Sequence, residues 1–201
     1  DNIIEVKEIA PDDVNLIYNS DSAFCPGGPG VGLSLDGADS DYTYELYHTI
    51  SGLSSLESTV SNPGGPFSFG SYTDSAGYYA VEVSNGSCSI SLDDTLRVYK
   101  KNEPTAYNLS GPGGICHGAT SVQFELSGSE KGMLYEFYNF GGRQDTVYGT
   151  GSQIQFSATD TGTYRVMATD TSTGCSEPML DTIVLGYYPE VHATVTPDTA
   201  I

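Results

Sequence analysis

The chain has 201 residues, and its 26 acidic side chains against seven basic ones give a formal net charge of −19. Such an acidic surface repels nucleic-acid backbones and anionic membrane surfaces, so we expect no nucleic-acid partner. We also expect no membrane insertion, because no apolar segment approaches the roughly 20 residues that span a bilayer. Hydrophobic residues make up 38% of the chain, which is enough for folded cores and argues against disorder.

The sequence repeats one order of motifs at an offset of about ninety residues, which predicts two tandem domains that each hold a core. The matched segments are Cys25 with Cys116, Tyr44–Tyr47 with Tyr135–Tyr138, Gly77–Val81 with Gly162–Val166, Cys88 with Cys175, and Asp94–Leu96 with Asp181–Ile183. An array of this kind works more often through reach and contact than through catalysis.

Domain boundaries follow from the repeat. We expect the first repeat at residues 11–101 and the second at residues 102–188. Residues 1–10 resemble the last strand of a preceding repeat or a linker, although they can also be the opening strand of the first repeat. Residues 189–201 are interpreted as a linker or the first strand of a following repeat. A proline follows each copy of the last strand and predicts a semi-rigid joint; these are Pro11, Pro104 and Pro189.

Short alternating segments separated by Gly, Pro, Ser, Asn and Asp predict strands rather than helices. In the first repeat the predicted strands are Val14–Tyr18, Val31–Leu35, Tyr42–His48, Pro66–Gly70, Gly77–Val83 and Ser91–Tyr99. In the second they are Ser121–Leu126, Leu134–Asn139, Gln153–Ser157, Gly162–Thr169 and Asp181–Tyr187. Short strands at this spacing favour a β-sandwich in each repeat.

One motif makes the sandwich more specific. The segment Asp160–Val166 resembles the immunoglobulin-type Asp-x-Gly-x-Tyr-x-Cys segment, in which the tyrosine hydroxyl bonds to the backbone just upstream. It predicts tyrosine corners at Tyr79 and Tyr164. Valine stands in place of the buried cysteine, and the chain contains no tryptophan. The large aromatic side chains of the cores are therefore expected at Tyr44 or Tyr47 and at the equivalent Tyr135 or Tyr138.

Four cysteines, two per repeat at matching positions, predict a disulfide framework and an oxidising compartment. Four cysteines allow three pairings, and the repeat symmetry favours Cys25–Cys88 and Cys116–Cys175. In an immunoglobulin-type sandwich, the two cysteine positions of a repeat can lie at opposite ends of the domain. Bonded cysteines have Cα atoms within about 7 Å, so these pairs require the segments at Cys25 and Cys116 to run along the domain as a short first strand. Zinc ligation is disfavoured, because Cys116 and His117 have no second pair of ligands nearby in sequence. The predicted fold is all-β, with two tandem immunoglobulin-like β-sandwich domains and one disulfide each.

The second repeat carries a longer string of recognisable residues. They are Cys116, Gly118, Leu126, Gly128–Glu130, Gly132, Tyr135, Gly149–Gly151, Gly162–Tyr164, Gly174, Cys175 and Met179. This string resembles the immunoglobulin-like repeats of large type IX-secreted surface proteins of Bacteroidota, including gliding adhesins. The first repeat departs from it, with Asp36–Asp39 where the second has Ser127–Glu130.

The resemblance implies a secreted or cell-surface location and a stalk, spacer or adhesive role, without implying a ligand. The implied partners are neighbouring repeats of the same chain, other copies in a fibre, or host, prey or surface glycans. The same phylum O-glycosylates Asp-Ser or Asp-Thr followed by a small or aliphatic residue. Candidate acceptors are Ser22, Ser75, Thr95, Thr146, Thr182 and Thr199. The alternative is that these pairs are ordinary turn formers.

The sequence contains candidate residues for two kinds of binding site. The carboxylates of Asp36, Asp39 and Asp41 can supply oxygen ligands for Ca²⁺, although a solvated turn explains them as well. Otherwise no cofactor is expected. Carbohydrate binding would use a row of exposed aromatics, and packing within or between strands is the alternative for each candidate. These candidates are Tyr72, Phe140, Tyr148, Tyr187 and Tyr188.

The sequence gives little support for catalysis. The three histidines, His48, His117 and His192, occupy unrelated positions, and the chain has no Gly-x-Ser-x-Gly motif and no Gly-rich phosphate loop. Glu45 and Glu136 are equivalent repeat positions rather than an acid–base pair. We therefore predict a non-enzymatic, semi-rigid stalk or spacer of a long extracellular protein. The alternative is a carbohydrate-binding accessory module of a secreted protein.

Overall fold

The computed structural model describes residues 14–18, 21–72 and 75–190. Within these residues the regular elements are all β-strands, which confirms the all-β class. The chain divides into two compact units, Asp1–Asn102 (unit 1) and Glu103–Ile201 (unit 2), one residue after the boundary expected from the repeat. The segment predicted at 1–10 and most of that at 189–201 lie outside the described residues. In the described part, no helix is long and apolar enough to cross a bilayer.

Unit 1 is a two-sheet sandwich. Its strands are β1 (Leu16–Tyr18), β2 (Ala23–Phe24), β3 (Val31–Leu35), β4 (Thr43–Ile50), β5 (Leu53–Ser61), β6 (Phe67–Tyr72), β7 (Gly77–Ser84) and β8 (Ser89–Lys100). One sheet has the strand order β1–β3–β6 and the other has β2–β8–β7–β4–β5. Neighbouring strands are antiparallel except β2 and β8, which are parallel.

The core of unit 1 follows the period of two that a strand imposes. In β3 every second side chain is buried, at Val31, Leu33 and Leu35. In β7 the side chains of Tyr79 and Val81 point the same way and are fully buried. Because buried residues of both sheets form one cluster, the two sheets enclose a single core.

Unit 2 repeats this plan. Its strands are β9 (Leu109–Ser110), β10 (Gly114–Ile115), β11 (Val122–Leu126), β12 (Met133–Asn139), β13 (Gly142–Tyr148), β14 (Ile154–Ala158), β15 (Gly162–Asp170), β16 (Ser176–Pro178) and β17 (Ile183–Tyr187). The sheets have the orders β14–β11–β9 and β10–β17–β15–β12–β13, and β16 also pairs with β15. As in unit 1, the short strand β10 runs parallel to the last strand, β17.

Stacked aromatic rings fill the core of unit 2. The Phe137 ring lies 4.9 Å from both the Phe156 and the Tyr164 rings, nearly parallel to each. Phe124 packs at a tilt, 5.2 Å from Phe137 and 5.0 Å from Tyr164. All four side chains are at most 1% exposed, so these rings occupy the centre in place of the disulfide and tryptophan of immunoglobulin domains.

Every strand predicted from the sequence is present, with ends within two residues of the prediction. The prediction missed two long edge strands, β5 and β13, and the short strands β2, β9, β10 and β16. Strand β5 was missed because it is rich in Ser and mostly exposed, so it lacks a hydrophobic alternation. Polar side chains on edge strands of this kind discourage pairing with other chains.

Candidate functional site

Both units contain the predicted tyrosine corner. The Tyr79 hydroxyl donates to the Ser75 carbonyl at 2.8 Å, and the Tyr164 hydroxyl donates to the Asp160 carbonyl at 2.6 Å. Both rings are buried, and burial raises the pKa of Tyr79 to about 12. The two tyrosines thus fix the loop that precedes β7 and β15.

A second pair of tyrosines shows which of the expected aromatic side chains lie in the two cores. Tyr44 and Tyr135 are fully buried, and burial raises the pKa of both. Their hydroxyls accept backbone N–H groups from the loop five residues upstream, from Asp39 at 2.8 Å and Glu130 at 2.9 Å.

The neighbouring tyrosines, Tyr47 and Tyr138, lie on the opposite face of β4 and β12 and are half-buried. Each donates its hydroxyl to the carboxylate two residues earlier, Glu45 or Glu136. These two carboxylates therefore hold side chains on the sheet surface.

In unit 1 the first and last parts of the sandwich are joined by parallel hydrogen bonds. The Tyr99 N–H donates to the Ser22 carbonyl at 2.8 Å, and the Lys101 N–H donates to the Phe24 carbonyl at 2.9 Å. The Lys101 ammonium also lies 2.9 Å from the Asp21 carboxylate, and this hydrogen bond lowers the pKa of Asp21.

Unit 2 has the same parallel connection between β10 and β17. The Gly186 N–H donates to the Gly113 carbonyl at 3.1 Å, and the Tyr188 N–H donates to the Ile115 carbonyl at 3.0 Å. A Cβ atom at Gly114 would lie 2.8 Å from a ring carbon of Tyr188. Glycine therefore lets the Tyr188 ring lie against the strand.

The predicted disulfide pairs are wrong. Cys88 and Cys116 are free and exposed thiols, so neither Cys25–Cys88 nor Cys116–Cys175 is formed. Cys25 and Cys175 are disulfide-bonded. The expectation of one disulfide within each domain is corrected accordingly.

The strand register explains this correction in unit 1. Cys25 follows Phe24, which pairs with Lys100 at the end of β8, whereas Cys88 precedes Ser89 at its beginning. Strand β8 has 12 residues, which at about 3.3 Å per residue separates the two cysteines by roughly 40 Å. Bonded cysteines have Cα atoms within about 7 Å, so the pair cannot form.

The same argument holds in unit 2. Cys116 follows Ile115, which pairs with Tyr187, beyond the beginning of β15. Cys175 lies at the other end of β15, where its carbonyl accepts the Asp170 N–H at 2.8 Å. Strand β15 has nine residues, or roughly 30 Å.

Each unit therefore carries one cysteine at each end. We call the end at which the first strand begins the entry end and the end at which the last strand finishes the exit end. Cys88 and Cys175 lie at the entry ends of their units, and Cys25 and Cys116 lie at the exit ends.

The calcium candidate is not assembled as a metal site. Both carboxylate oxygens of Asp36 accept hydrogen bonds from Asn15, at 2.7 Å from its backbone N–H and 2.8 Å from its side-chain amide. The bond from the backbone N–H is the main cause of the lowered pKa of Asp36. Asp39 Oδ1 accepts the Asp41 N–H at 3.0 Å. Among the described residues, no group of three His, Cys, Asp or Glu side chains is placed to hold a metal ion.

The candidate glycosylation acceptors differ in exposure. Thr95, Thr146 and Thr182 are exposed, whereas Ser22 and Ser75 are half-buried. Thr199 lies outside the described residues. Modification at these positions remains a prediction.

The aromatic candidates for carbohydrate binding do not form one row. Phe140 is fully exposed at the β12–β13 turn, and Tyr148 is 69% exposed at the far end of β13. The Tyr187 ring stacks on His117 at 4.3 Å, and Tyr72 packs 5.2 Å from Tyr79. Tyr188 lies against Gly114.

The structure instead reveals an aromatic and basic cluster that the sequence reasoning missed. The Arg97 guanidinium lies 4.5 Å from the centre of the Tyr99 ring and 5.4 Å from that of Tyr78. Tyr78 and Arg97 are direct cross-strand partners, and both tyrosines are nearly half exposed. The cluster borders a cleft of about 240 Å³ that also involves Ile50 and Lys100. The spacing of Arg97 and Tyr99, two residues apart in one strand, was the sequence signal for it.

The two described histidines make structural contacts. His48 is buried, stacks on Tyr79 at 4.4 Å and places Nε2 3.2 Å from the Ala76 carbonyl. His117 is exposed, and its Nε2 lies 3.9 Å from the Glu190 carboxylate. His192 lies outside the described residues.

The chain matches no protein-family model. It also matches no curated protein sequence. Solved structures similar to it include fibronectin(III)-like modules of CbhA from Clostridium thermocellum, at 14% identity and TM-score 0.40, covering 92% of this chain and 100% of that one. A two-domain fibronectin type III segment of chicken tenascin matches at 14% identity and TM-score 0.33, covering 85% and 97%. The human OSCAR ligand-binding domain matches at 16% identity and TM-score 0.35, covering 84% and 96%. Similarity at this level supports no conclusion about function.

Proposed function

We propose that the chain is a load-bearing segment of a long extracellular surface protein, in which each sandwich is one bead of a stalk or spacer. The observation that carries this proposal is the parallel pairing of the second strand with the last strand in both units. The role is non-enzymatic, and the location is the cell surface, as the resemblance to type IX-secreted Bacteroidota repeats implies.

The pairing supports the proposal through its direction. Strands β2 and β8 run parallel, so pulling the chain at its two ends drags them in opposite directions along their common axis. In the reduced chain, tension then loads the Tyr99–Ser22 and Lys101–Phe24 hydrogen bonds together, in shear, rather than one after another. In unit 2 the bonds between β10 and β17 are loaded in the same way.

Burial and charge fit the same role. Each unit has its own core cluster, so neither core draws its buried residues from the other unit. The net charge of −19 keeps separate copies of such an array apart at low salt. O-glycosylation at the exposed Thr95, Thr146 and Thr182 would place sugars on this acidic surface.

Force spectroscopy on the whole reduced chain, held by its two termini, tests the proposal; the reductant ensures that no disulfide carries the load in place of the strands. We compare Tyr99→Pro with Tyr99→Ala, because both remove the ring and only proline also removes the N–H that donates to Ser22. The proposal predicts a lower unfolding force for unit 1 in Tyr99→Pro than in Tyr99→Ala, with unit 2 unchanged. Equal forces in the two variants would contradict a load-bearing role for this pairing.

The second candidate is a carbohydrate-binding accessory module, and the cluster of Tyr78, Arg97 and Tyr99 favours it. Exposed aromatic faces beside a cleft present the apolar and polar surfaces that a sugar ring can contact. A glycan array separates the two functions. Saturable binding that disappears in a Tyr78→Ala, Tyr99→Ala variant supports the module, and no binding by the wild type supports the stalk.

A further inference from the structure

One free thiol lies at an entry end and the other lies at an exit end. Cys88 lies at the entry end of unit 1, Cys116 lies at the exit end of unit 2, and both are exposed. Neither can bond with the other cysteine of its own unit, because the strands between them span roughly 40 Å and 30 Å. Any disulfide partner of either thiol therefore belongs to another unit.

The repeat equivalents of these thiols provide a second observation. Cys175 is the equivalent of Cys88, Cys25 is the equivalent of Cys116, and both equivalents are disulfide-bonded. The bonded positions thus comprise one entry-end cysteine and one exit-end cysteine.

The exit-end cysteines occupy the same local turn in both units. The Cys25 carbonyl accepts the Gly28 N–H at 3.0 Å, and the Cys116 carbonyl accepts the Ala119 N–H at 3.1 Å. The entry-end turns differ in length, because the Cys88 carbonyl accepts the N–H of Asn85, three residues earlier, whereas the Cys175 carbonyl accepts that of Asp170, five residues earlier. Cys116 therefore lies on a backbone turn that carries a bonded cysteine in the other unit.

We propose that Cys88 and Cys116 are cross-linking sites, each forming a disulfide with the opposite-end cysteine of another copy of this repeat. An entry-end thiol meets an exit-end thiol, so the contact joins two different surfaces and can be repeated head to tail from copy to copy. This inference rests on the cysteine positions and holds independently of the load-bearing function.

The chemistry requires an oxidant, and a small-molecule disulfide such as oxidised glutathione supplies it. The Cys88 thiolate attacks this disulfide, forms a mixed disulfide and releases one thiol. The Cys116 thiolate of a second copy then attacks the Cys88 sulfur and releases the other thiol. Overall, two protein thiols and one small disulfide give one protein disulfide and two small thiols, so two electrons pass to the small molecule.

The test uses purified whole chain at high concentration with oxidised glutathione. The high net charge opposes the approach of two copies, so the reaction is run in about 0.5 M NaCl, where the screening length falls below 10 Å. The reaction is run with the wild type, with Cys88→Ser and with Cys116→Ser, and the products are compared on a non-reducing gel. Each single variant keeps only one kind of free thiol.

The proposal predicts that the wild type forms a ladder in steps of 21.3 kDa that collapses on reduction. Each single variant alone remains mainly monomeric, and an equal mixture of the two yields a dimer and no ladder. Peptide mapping of that dimer finds Cys88 joined to Cys116. A wild type that stays monomeric overturns the proposal, as does a bond between Cys88 and Cys116 of one molecule. Single variants that dimerise as efficiently as the mixture also overturn it.

Discussion

The two units reach the same sandwich with different side chains behind the same tyrosine corner. In unit 1, Tyr79 stacks on the buried imidazole of His48. In unit 2 the position after Tyr138 is Asn139, which is half-buried, and Tyr164 stacks on Phe137 instead. The hydrogen bond of each corner is kept while the ring beneath it changes. The backbone pattern of the repeat is thus more tightly specified than the identity of its core residues.

The largest effect that separates the two units is expected at Gly149. A Cβ atom there would lie 1.8 Å from the backbone oxygen of Glu130, so the backbone itself must move. We expect Gly149→Ala to destabilise unit 2 by about 3 kcal/mol, with unit 1 unaffected. Hydrogen exchange followed by mass spectrometry reads the two units separately. Gly113→Ala is the control, because no atom lies within 4 Å of its added Cβ. Equal loss of protection in both units would show that they do not unfold independently.

The fold was largely predictable from the sequence, because alternating hydrophobic residues and the Gly-x-Tyr motif act locally. The edge strand β5 was not, because its stability comes from pairing with β4 rather than from its own side chains. The cysteine pairing also failed. Repeat symmetry identifies equivalent cysteines, but only the register of β2 on β8 shows that Cys25 and Cys88 lie at opposite ends. The Tyr78–Arg97–Tyr99 cluster needed the same cross-strand information.

A second expected difference is in how the stability of unit 1 responds to alkaline pH. Burial raises the pKa of Tyr79 from 10.0 to about 12, so the folded state keeps this hydroxyl neutral where the unfolded chain ionises. The contribution of the neutral Tyr79 hydroxyl to the free energy of unfolding is complete below pH 10 and is lost as the pH rises to about 12. The change amounts to about 3 kcal/mol. Denaturant unfolding at pH 8 and pH 11 should show a smaller pH dependence of unit 1 in Tyr79→Phe than in wild type.

The control for this prediction is Tyr164→Phe, which removes the same corner hydrogen bond in unit 2. At pH 8 each variant should lose about 1 kcal/mol in its own unit. An unchanged pH dependence of unit 1 in Tyr79→Phe would contradict the assignment to Tyr79.

The smallest expected difference lies at the glycine that begins β7 and β15. Gly77 and Gly162 have the same backbone angle, with φ of 158° and 159°. An added Cβ would lie 2.3 Å from His48 Nε2 in unit 1, but 3.9 Å from its nearest neighbours, Asn139 Cβ and a Tyr164 ring carbon, in unit 2. We expect Gly77→Ala to cost about 1–2 kcal/mol more than Gly162→Ala, measured by denaturant unfolding. Equal costs would mean that the backbone angle alone sets the effect.

The most direct test of two independent, load-bearing sandwiches is to extend the whole reduced chain at constant speed and record its unfolding steps. A reductant is included so that no disulfide shortens the extension. The account predicts two separate force peaks, each releasing about 30 nm, because roughly 90 residues at about 3.6 Å each become extended. A single peak that releases the whole chain at once, or extension without a force peak, would contradict it.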